Sequence, residues 1–436
     1  MSVGSPAAVL AVVPHLLGFV PSKSLIVLGA GPPRGRIHMT LRFDLPDPAD
    51  QAAAKAIAEH AVSILTRQRR VMAVVIGYGP GHLVTPIADA IRDRAPRAGL
   101  ELRDVLRVED GRYWSYLCRE PSCCPAEGVP IAAEHPAAAA MAAAGSPVLP
   151  DRAALADSVS PLGGIARQSM RQATRRAEAH AVNLVTQAAR SGHPGKARRL
   201  VVMEGLSAVA DAIATYRRGG RFTTDDQLAW LAVALTSLQV RDDAWARMDI
   251  DYRDMHRRLW TDVVRRAEPQ YVPAPAALLA FTAWQSGNGA LANVALERAL
   301  EADPTYSMAL LLRDVIDAGA PPSMARLPMT PEEVAASYAA AEDPGGPDDD
   351  RPAGARGAPG AAEPPDGDSD GDLTDGDSDD GLADEDLDGD DLTDNDLDDD
   401  LDDDDLDDDL ADDLDDDPAD DQPGEDEPFG QPGAQI

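Results

Sequence analysis

Three cysteines lie close together in the sequence and could hold a metal ion. Cys118, Cys123 and Cys124 follow a Cys-x4-Cys-Cys spacing, and His135 comes eleven residues after the last of them. Zinc prefers four thiolate or imidazole ligands. Zinc sites usually carry paired Cys-x2-Cys motifs, and two adjacent cysteines seldom reach one ion. No cofactor is therefore predicted, because this spacing disfavours zinc. We expect reduced thiols, although a disulfide from Cys118 to either later cysteine would create a redox switch.

A second group is the segment GYGPGH at residues 77–82, which follows an apolar run and precedes a helical pattern. Ligands of open α/β sheets bind at the carboxyl ends of strands, and helix N-termini attract anions. Glycines would let backbone N–H groups approach a phosphate, although a tight turn needs glycine for steric reasons alone. A lysine before another apolar run could add a cation. The predicted ligand-binding residues are Lys23, Gly77, Tyr78, Gly79, Gly81 and His82.

The elements that would position these residues form an α/β pattern over residues 1–120. Apolar and alternating runs predict strands, and helical periodicity predicts the helices between them. A first helix begins after Ser5, which is followed by proline. The predicted strands span 24–30, 36–45, 70–79, 101–108 and 111–118, and the next helices span 50–69 and 84–95. This order predicts a mixed sheet with flanking helices.

The rest of the chain divides into three parts by composition. Residues 121–150 are rich in Cys, Pro and Ala and predict a linker with one alanine-rich helix. Residues 151–340 show helical periodicity throughout and predict an all-α domain, with four tryptophans in its core. Those tryptophans are Trp230, Trp245, Trp260 and Trp284. Residues 341–436 form an acidic tail.

The net charge of −37 comes from this tail. The tail holds 42 acidic and two basic residues, whereas residues 1–340 hold 34 acidic and 37 basic residues. Such a charged segment has too little apolar content to bury a core, so we predict that it is disordered. Its leucines recur among aspartates, a pattern that suits recognition of a basic partner, although the charge could also simply keep the protein soluble.

Several classes of function are excluded by what the sequence lacks. It has no run of 18 apolar residues and no basic segment before its first apolar stretch, so we expect neither a membrane span nor an export signal. The protein is therefore expected in the cytoplasm. Trp114 and Tyr116 could stack on bases, but the near-neutral body and acidic tail argue against nucleic acid. No hydrolase, metalloprotease or kinase motif is present, so no catalytic residue is assigned.

Three stretches carry a resemblance to a known family. They are PHLLGFVPSKSLIVLG, GRYWSYLCREPSCCPAEGVP and the late run PAALLAFTAWQSGNGALANVALERALEADPTYSMALLLRDVIDAG. Over about residues 5–322 the chain resembles the bacterial family called domain of unknown function 4192. The resemblance implies no established activity.

One part of the helical region also resembles a tetratricopeptide repeat. Residues 273–306 have a small residue at Ala280, a turn at Gly287, and Ala292 and Ala299 on the second helix. Alanines replace two of the usual large residues. A single repeat cannot bury its own apolar face, so it must pack against the rest of the domain.

We therefore predict a non-catalytic interaction or scaffold protein that uses its helical domain to bind a protein partner. The first alternative is an enzyme or sensor with a small anionic ligand at the strand ends near Lys23 and residues 77–82. The second is a metal or redox switch at the cysteines.

Overall fold

The central strands of the sheet are buried on both faces. In the computed structural model, which describes residues 5–31, 36–145, 148–191, 194–324 and 329–342, six strands form one mixed sheet in the order β2-β1-β3-β4-β5-β6. The strands are β1 (Ser24–Gly31), β2 (Arg36–Asp44), β3 (Met72–Tyr78), β4 (Glu101–Glu109), β5 (Arg112–Ser115) and β6 (Val129–Pro130). Every residue of β1 is buried, which explains its continuous apolar sequence.

The sheet has the mixed character that the sequence predicts. β3 and β4 pair in parallel, and the other neighbouring pairs are antiparallel. The sixth strand was not predicted. It comes from the segment assigned to a linker, where Val129 pairs with Tyr113 of β5.

One face of the sheet is covered by two helices, α2 (Gln51–Arg67) and α3 (Gly81–Arg94). Their apolar side chains pack on Val27, Val75 and Val105 of the sheet. Gly77 makes the close approach of α3 to the sheet feasible. A Cβ atom built on Gly77 would lie 2.2 Å from Cγ1 of Val84. Glycine is therefore required at this position by packing.

The opposite face is covered by the first helix, α1 (Pro6–Leu17), and by the helical region of the chain. The same apolar cluster contains Leu10, Ile26 and Ile76 together with Leu259 and Leu279. The helices that follow the sheet thus complete its second core. The predicted domain boundaries stay a prediction.

The helices after the sheet agree with the predicted helical pattern. None of the helices in the described residues is long and apolar enough to cross a membrane. The helices after the sheet are α4 (Pro136–Ala143), α5 (Arg152–Asp157), α6 (Gly164–Arg190), α7 (Pro194–Arg217), α8 (Asp225–Ala234), α9 (Leu238–Ala246), α10 (Arg253–Arg266), α11 (Pro273–Gln285), α12 (Gly289–Ala302), α13 (Ser307–Asp317) and α14 (Pro331–Glu342). The predicted acidic tail lies outside the described residues from residue 343 onward.

Of the four tryptophans predicted for the helical core, two are buried and two are partly buried. Trp260 and Trp284 are buried, and Trp230 and Trp245 are partly buried against the same cluster. The core also contains His256, which is 1% exposed. Its Nε2 atom accepts a hydrogen bond from the Asp249 backbone N–H at 3.4 Å. Burial lowers the pKa of His256 to about 4.

The packing at Gly77 predicts the effect of adding one methyl group. Gly77→Ala is expected to lower the free energy of unfolding by about 1–3 kcal/mol, because the methyl group overlaps Val84. Gly289→Ala is the matched control, since a Cβ atom there meets nothing within 4 Å. Urea denaturation of both variants measures the difference. Equal stability of the two variants would show that α3 does not depend on this contact.

The buried histidine predicts a loss of stability in acid. The pKa of His256 rises from about 4 in the folded protein to an ordinary value near 6.5 on unfolding, so the unfolded chain binds the extra proton. The stability that the neutral His256 contributes is fully present above pH 6.5. The free energy of unfolding then falls by about 3 kcal/mol as the pH drops toward 4. Urea denaturation across this range should show a steeper acid loss for the natural protein than for His256→Gln. His38→Gln, at an exposed site, should behave like the natural protein.

Candidate functional site

The three cysteines form one cluster in space. Their Sγ atoms all lie within 4.8 Å of one another. The Sγ of Cys123 is 3.5 Å from that of Cys118 and 3.6 Å from that of Cys124. The sequence argument held that two adjacent cysteines seldom reach one ion, whereas the Sγ atoms of Cys123 and Cys124 are 3.6 Å apart and both lie within 4.8 Å of that of Cys118.

A single turn of the backbone brings the later cysteines back toward the first. The backbone N–H groups of Cys123 and Cys124 both donate to the carbonyl oxygen of Glu120, at 3.1 and 2.8 Å. This turn directs the chain back toward Cys118, just after the end of β5. The two adjacent side chains can therefore approach the same sulfur atom.

Cys118 is itself fixed to the sheet through Ser115. The Ser115 hydroxyl donates to Oδ1 of Asp104 at 2.7 Å and accepts from the Cys118 backbone N–H at 3.0 Å. It also accepts from the Leu117 N–H at 3.2 Å. Asp104 belongs to β4, so these bonds tie the start of the cysteine loop to the neighbouring strand.

The far end of the cysteine loop is held as well. The Trp114 indole N–H donates to the carbonyl oxygen of Ala126 at 3.0 Å, and the Arg112 guanidinium donates to that of Gly128 at 2.8 Å. Gly128 has φ +80°, and its Cβ position would lie 2.5 Å from the Trp114 ring. The loop therefore needs glycine here, both for its backbone conformation and for its contact with the indole.

Hydrogen bonds within the cluster shift the pKa values of Cys118 and Cys124 in opposite directions. Hydrogen bonds from the Cys124 thiol, the Glu120 backbone N–H and the Cys123 thiol lower the pKa of Cys118. The hydrogen bond to Cys118, followed by burial, raises the pKa of Cys124 to about 12. These hydrogen bonds thus favour the thiolate form of Cys118 and the thiol form of Cys124.

His135 does not join this cluster of donor atoms. Its Nδ1 accepts a hydrogen bond from the Ala137 backbone N–H at 3.1 Å, so it caps α4. Among the described residues, the three cysteines are the group of His, Cys, Asp and Glu side chains whose spacing suits one ion. The protein thus offers three sulfur ligands there, one of them exposed and two partly buried.

The ligand-binding residues predicted at the strand ends come together at one edge of the sheet. Ser24, which follows Lys23, is paired with Tyr78. The Gly79 backbone N–H donates to the carbonyl oxygen of Val108 at 2.8 Å, and α3 begins at Gly81. His82 lies in the first turn of α3 and is exposed. Gly77 already packs closely against Val84 of α3, as described above.

Sequence reasoning missed Arg107, which lies at this edge. Its Nη1 atom would be 2.5 Å from a Cβ atom on Gly81. The guanidinium stacks 3.8 Å from the centre of the Trp114 ring and forms an ion pair with Glu109 at 3.2 Å. The pairing of Arg107 with Trp114 across the strands is the signal that could have found it. The Arg107 cation therefore lies beside Gly81, and its charge is already paired with that of Glu109.

Comparison with known proteins identifies a family and gives no activity. The chain matches the family described as Domain of unknown function (DUF4192) over residues 6–323. Neither the curated proteins nor the solved structures contain a match. The matched region includes the whole sheet, the cysteine cluster and helices α1 to α13. The chain is therefore a member of the DUF4192 family.

Proposed function

We propose that the protein binds one thiophilic divalent metal ion through Cys118, Cys123 and Cys124, and that zinc is the ion that fits best. The observation that carries the proposal is the gathering of three Sγ atoms within 4.8 Å. Three sulfur ligands from one short loop are more than packing requires.

The sulfur separations suit a tetrahedral ion. With zinc–sulfur bonds of about 2.3 Å, two sulfur ligands of a tetrahedral zinc lie about 3.8 Å apart. The separations of 3.5 and 3.6 Å that involve Cys123 are close to this value. A cation at the centre would replace the thiol protons, because zinc binds thiolates.

Three protein ligands leave one position of the ion for another molecule. Structural zinc sites are usually closed by four protein ligands, whereas sites that react keep one position for water or substrate. The exposed Cys123 gives solvent access to the centre. We infer that the fourth ligand is water or a small molecule that exchanges with it.

The predicted cytoplasmic location supports a metal site. A reducing compartment keeps thiols free for metal binding, whereas an oxidising one would convert them to disulfides. The redox alternative uses the same atoms, since Cys118 and Cys123 have sulfur atoms 3.5 Å apart. A disulfide between these two residues would remove two of the three ligands.

Loading the reduced protein with zinc tests this proposal. After removal of excess metal, we expect one zinc per chain by atomic emission. Cys118→Ser, Cys123→Ser and Cys124→Ser should each weaken zinc binding by more than the roughly tenfold to hundredfold that follows from loss of a residue that only hydrogen-bonds to a metal ligand. Ser122→Ala is the matched control in the same loop and should bind zinc normally. Chelator competition measures each affinity.

The same samples distinguish the redox alternative. If the natural protein binds no zinc while all three thiols react with a thiol reagent, the metal proposal is wrong. If two thiols become reactive only after reduction, and zinc is then still not bound, the disulfide switch is supported instead.

An interaction role for the helical region is a second proposal, and α13 favours it. α11 and α12 form the helix pair to which the tetratricopeptide-like pattern was assigned, and α13 packs beside them. α13 exposes Leu310, Leu311 and Val315, with Leu311 65% exposed. An apolar row at the end of a helical array suits contact with another protein surface.

The first test of that role is self-association. Leu311→Asp should leave the unfolding temperature unchanged, because the side chain is mostly exposed. If α13 contacts a second copy, sedimentation velocity will show a concentration-dependent dimer that the variant abolishes. A monomer at all concentrations would exclude this contact between copies.

A further inference from the structure

A surface cavity of about 440 Å³, wide open to solvent and lined mostly by exposed residues, lies between the last two turns of α2 and the C-terminal end of α3. It is at the opposite end of α3 from the predicted ligand site, since α3 begins at Gly81 and ends at Arg94. Three arginines are among the residues that line it, Arg67, Arg94 and Arg97. Among the described residues that line it, Glu59 is the one that carries a carboxylate. The cavity therefore carries an excess of two positive charges.

The three arginines differ in the hydrogen bonds and ion pairs that their guanidinium groups already make. Arg94 forms an ion pair with Glu59 at 3.1 Å. Arg67 donates to the carbonyl oxygen of Ala318 at 3.5 Å, a long bond to a neutral group. Arg97 makes no hydrogen bond or ion pair with any part of the chain that the structure describes. Two guanidinium groups thus keep donors available for a ligand.

Helix electrostatics account for only part of this charge. Cations favour the C-terminal turn of a helix, so Arg67 on α2 and Arg94 on α3 have that structural role. Arg97 lies beyond α3, in a short 3-10 helix at Pro96–Ala98. Arg97 is thus a third cation, beyond the two that complement the C-terminal ends of α2 and α3.

The other polar side chains of the lining cannot donate to a ligand. The Ser63 hydroxyl donates to the carbonyl oxygen of His60 at 2.9 Å, and the Thr66 hydroxyl donates to that of Val62 at 2.9 Å. The donors left over are guanidinium N–H groups. Planar guanidinium groups match the oxygens of phosphate in a bidentate arrangement, so a phosphate group fits better than a neutral acceptor.

We propose that this cavity binds the phosphate group of a small molecule, with Arg97 as the principal contact and Arg67 and Arg94 beside it. The volume falls in the range of small-molecule sites and exceeds that of a phosphate alone. The apolar Val62 and Ala98 in its lining suit the organic part of a phosphate ester. The site is independent of the cysteine cluster.

Calorimetric titration of the full chain at low salt tests the site with three probes: inorganic phosphate, ribose 5-phosphate and ribose. Ribose should give no signal, and at least one phosphate probe should bind. Tighter binding of ribose 5-phosphate assigns the site to a phosphate ester, and tighter binding of inorganic phosphate assigns it to the free ion. Higher salt should weaken either interaction.

Arginine variants locate the binding. Arg97→Gln should weaken it about tenfold to hundredfold through loss of a charged hydrogen-bond donor, and Arg97→Lys should restore part of the affinity. Arg92→Gln is the matched control, since Arg92 lies on α3, pairs with Asp89 and is not in the lining. Absence of binding by both phosphate probes at millimolar concentration overturns the proposal. Equal binding by Arg97→Gln and the natural protein also overturns it.

Discussion

Burial of the sheet on both faces is the constraint on which the rest of the structure depends. β1 and β3 have no exposed face, because α2 and α3 cover one side while α1 and the later helices cover the other. The helical region therefore completes the core of the sheet. Side chains as far apart in the sequence as Ile26 and Leu279 belong to one apolar cluster. A change in that cluster would affect both parts of the chain.

The cysteine cluster lies where this double burial ends, and the arginine cavity lies on the helices that cover one face of the sheet. The cysteine loop leaves β5, whose residues are exposed or partly buried, and returns to pair as β6. Asp104 and Ser115 connect the loop to the better-buried β4, so that the thiols combine solvent access with a fixed position. The arginine cavity lies at the C-terminal ends of α2 and α3. Both centres thus rest on the same packed sheet and can act separately.

Local patterns in the sequence were enough to predict the order of the elements and to place Lys23 and residues 77–82 together. The two apolar runs predicted buried strands, but the antiparallel pairing that puts Ser24 opposite Tyr78 was not predicted. The thiol cluster was harder to predict, because it depends on a turn at Glu120 and on a hydrogen bond to Asp104. The arginine cavity depends on the packing of two helices, and no motif records that contact.

X-ray absorption at the zinc edge of the zinc-loaded protein tests the central claim most directly. Three cysteine ligands and one exchangeable ligand predict three sulfur atoms at about 2.3 Å and one oxygen or nitrogen atom at about 2.0 Å. A shell of oxygen and nitrogen atoms alone would contradict metal binding by the thiols. Four sulfur atoms would contradict the open position, because a single chain contains three cysteines.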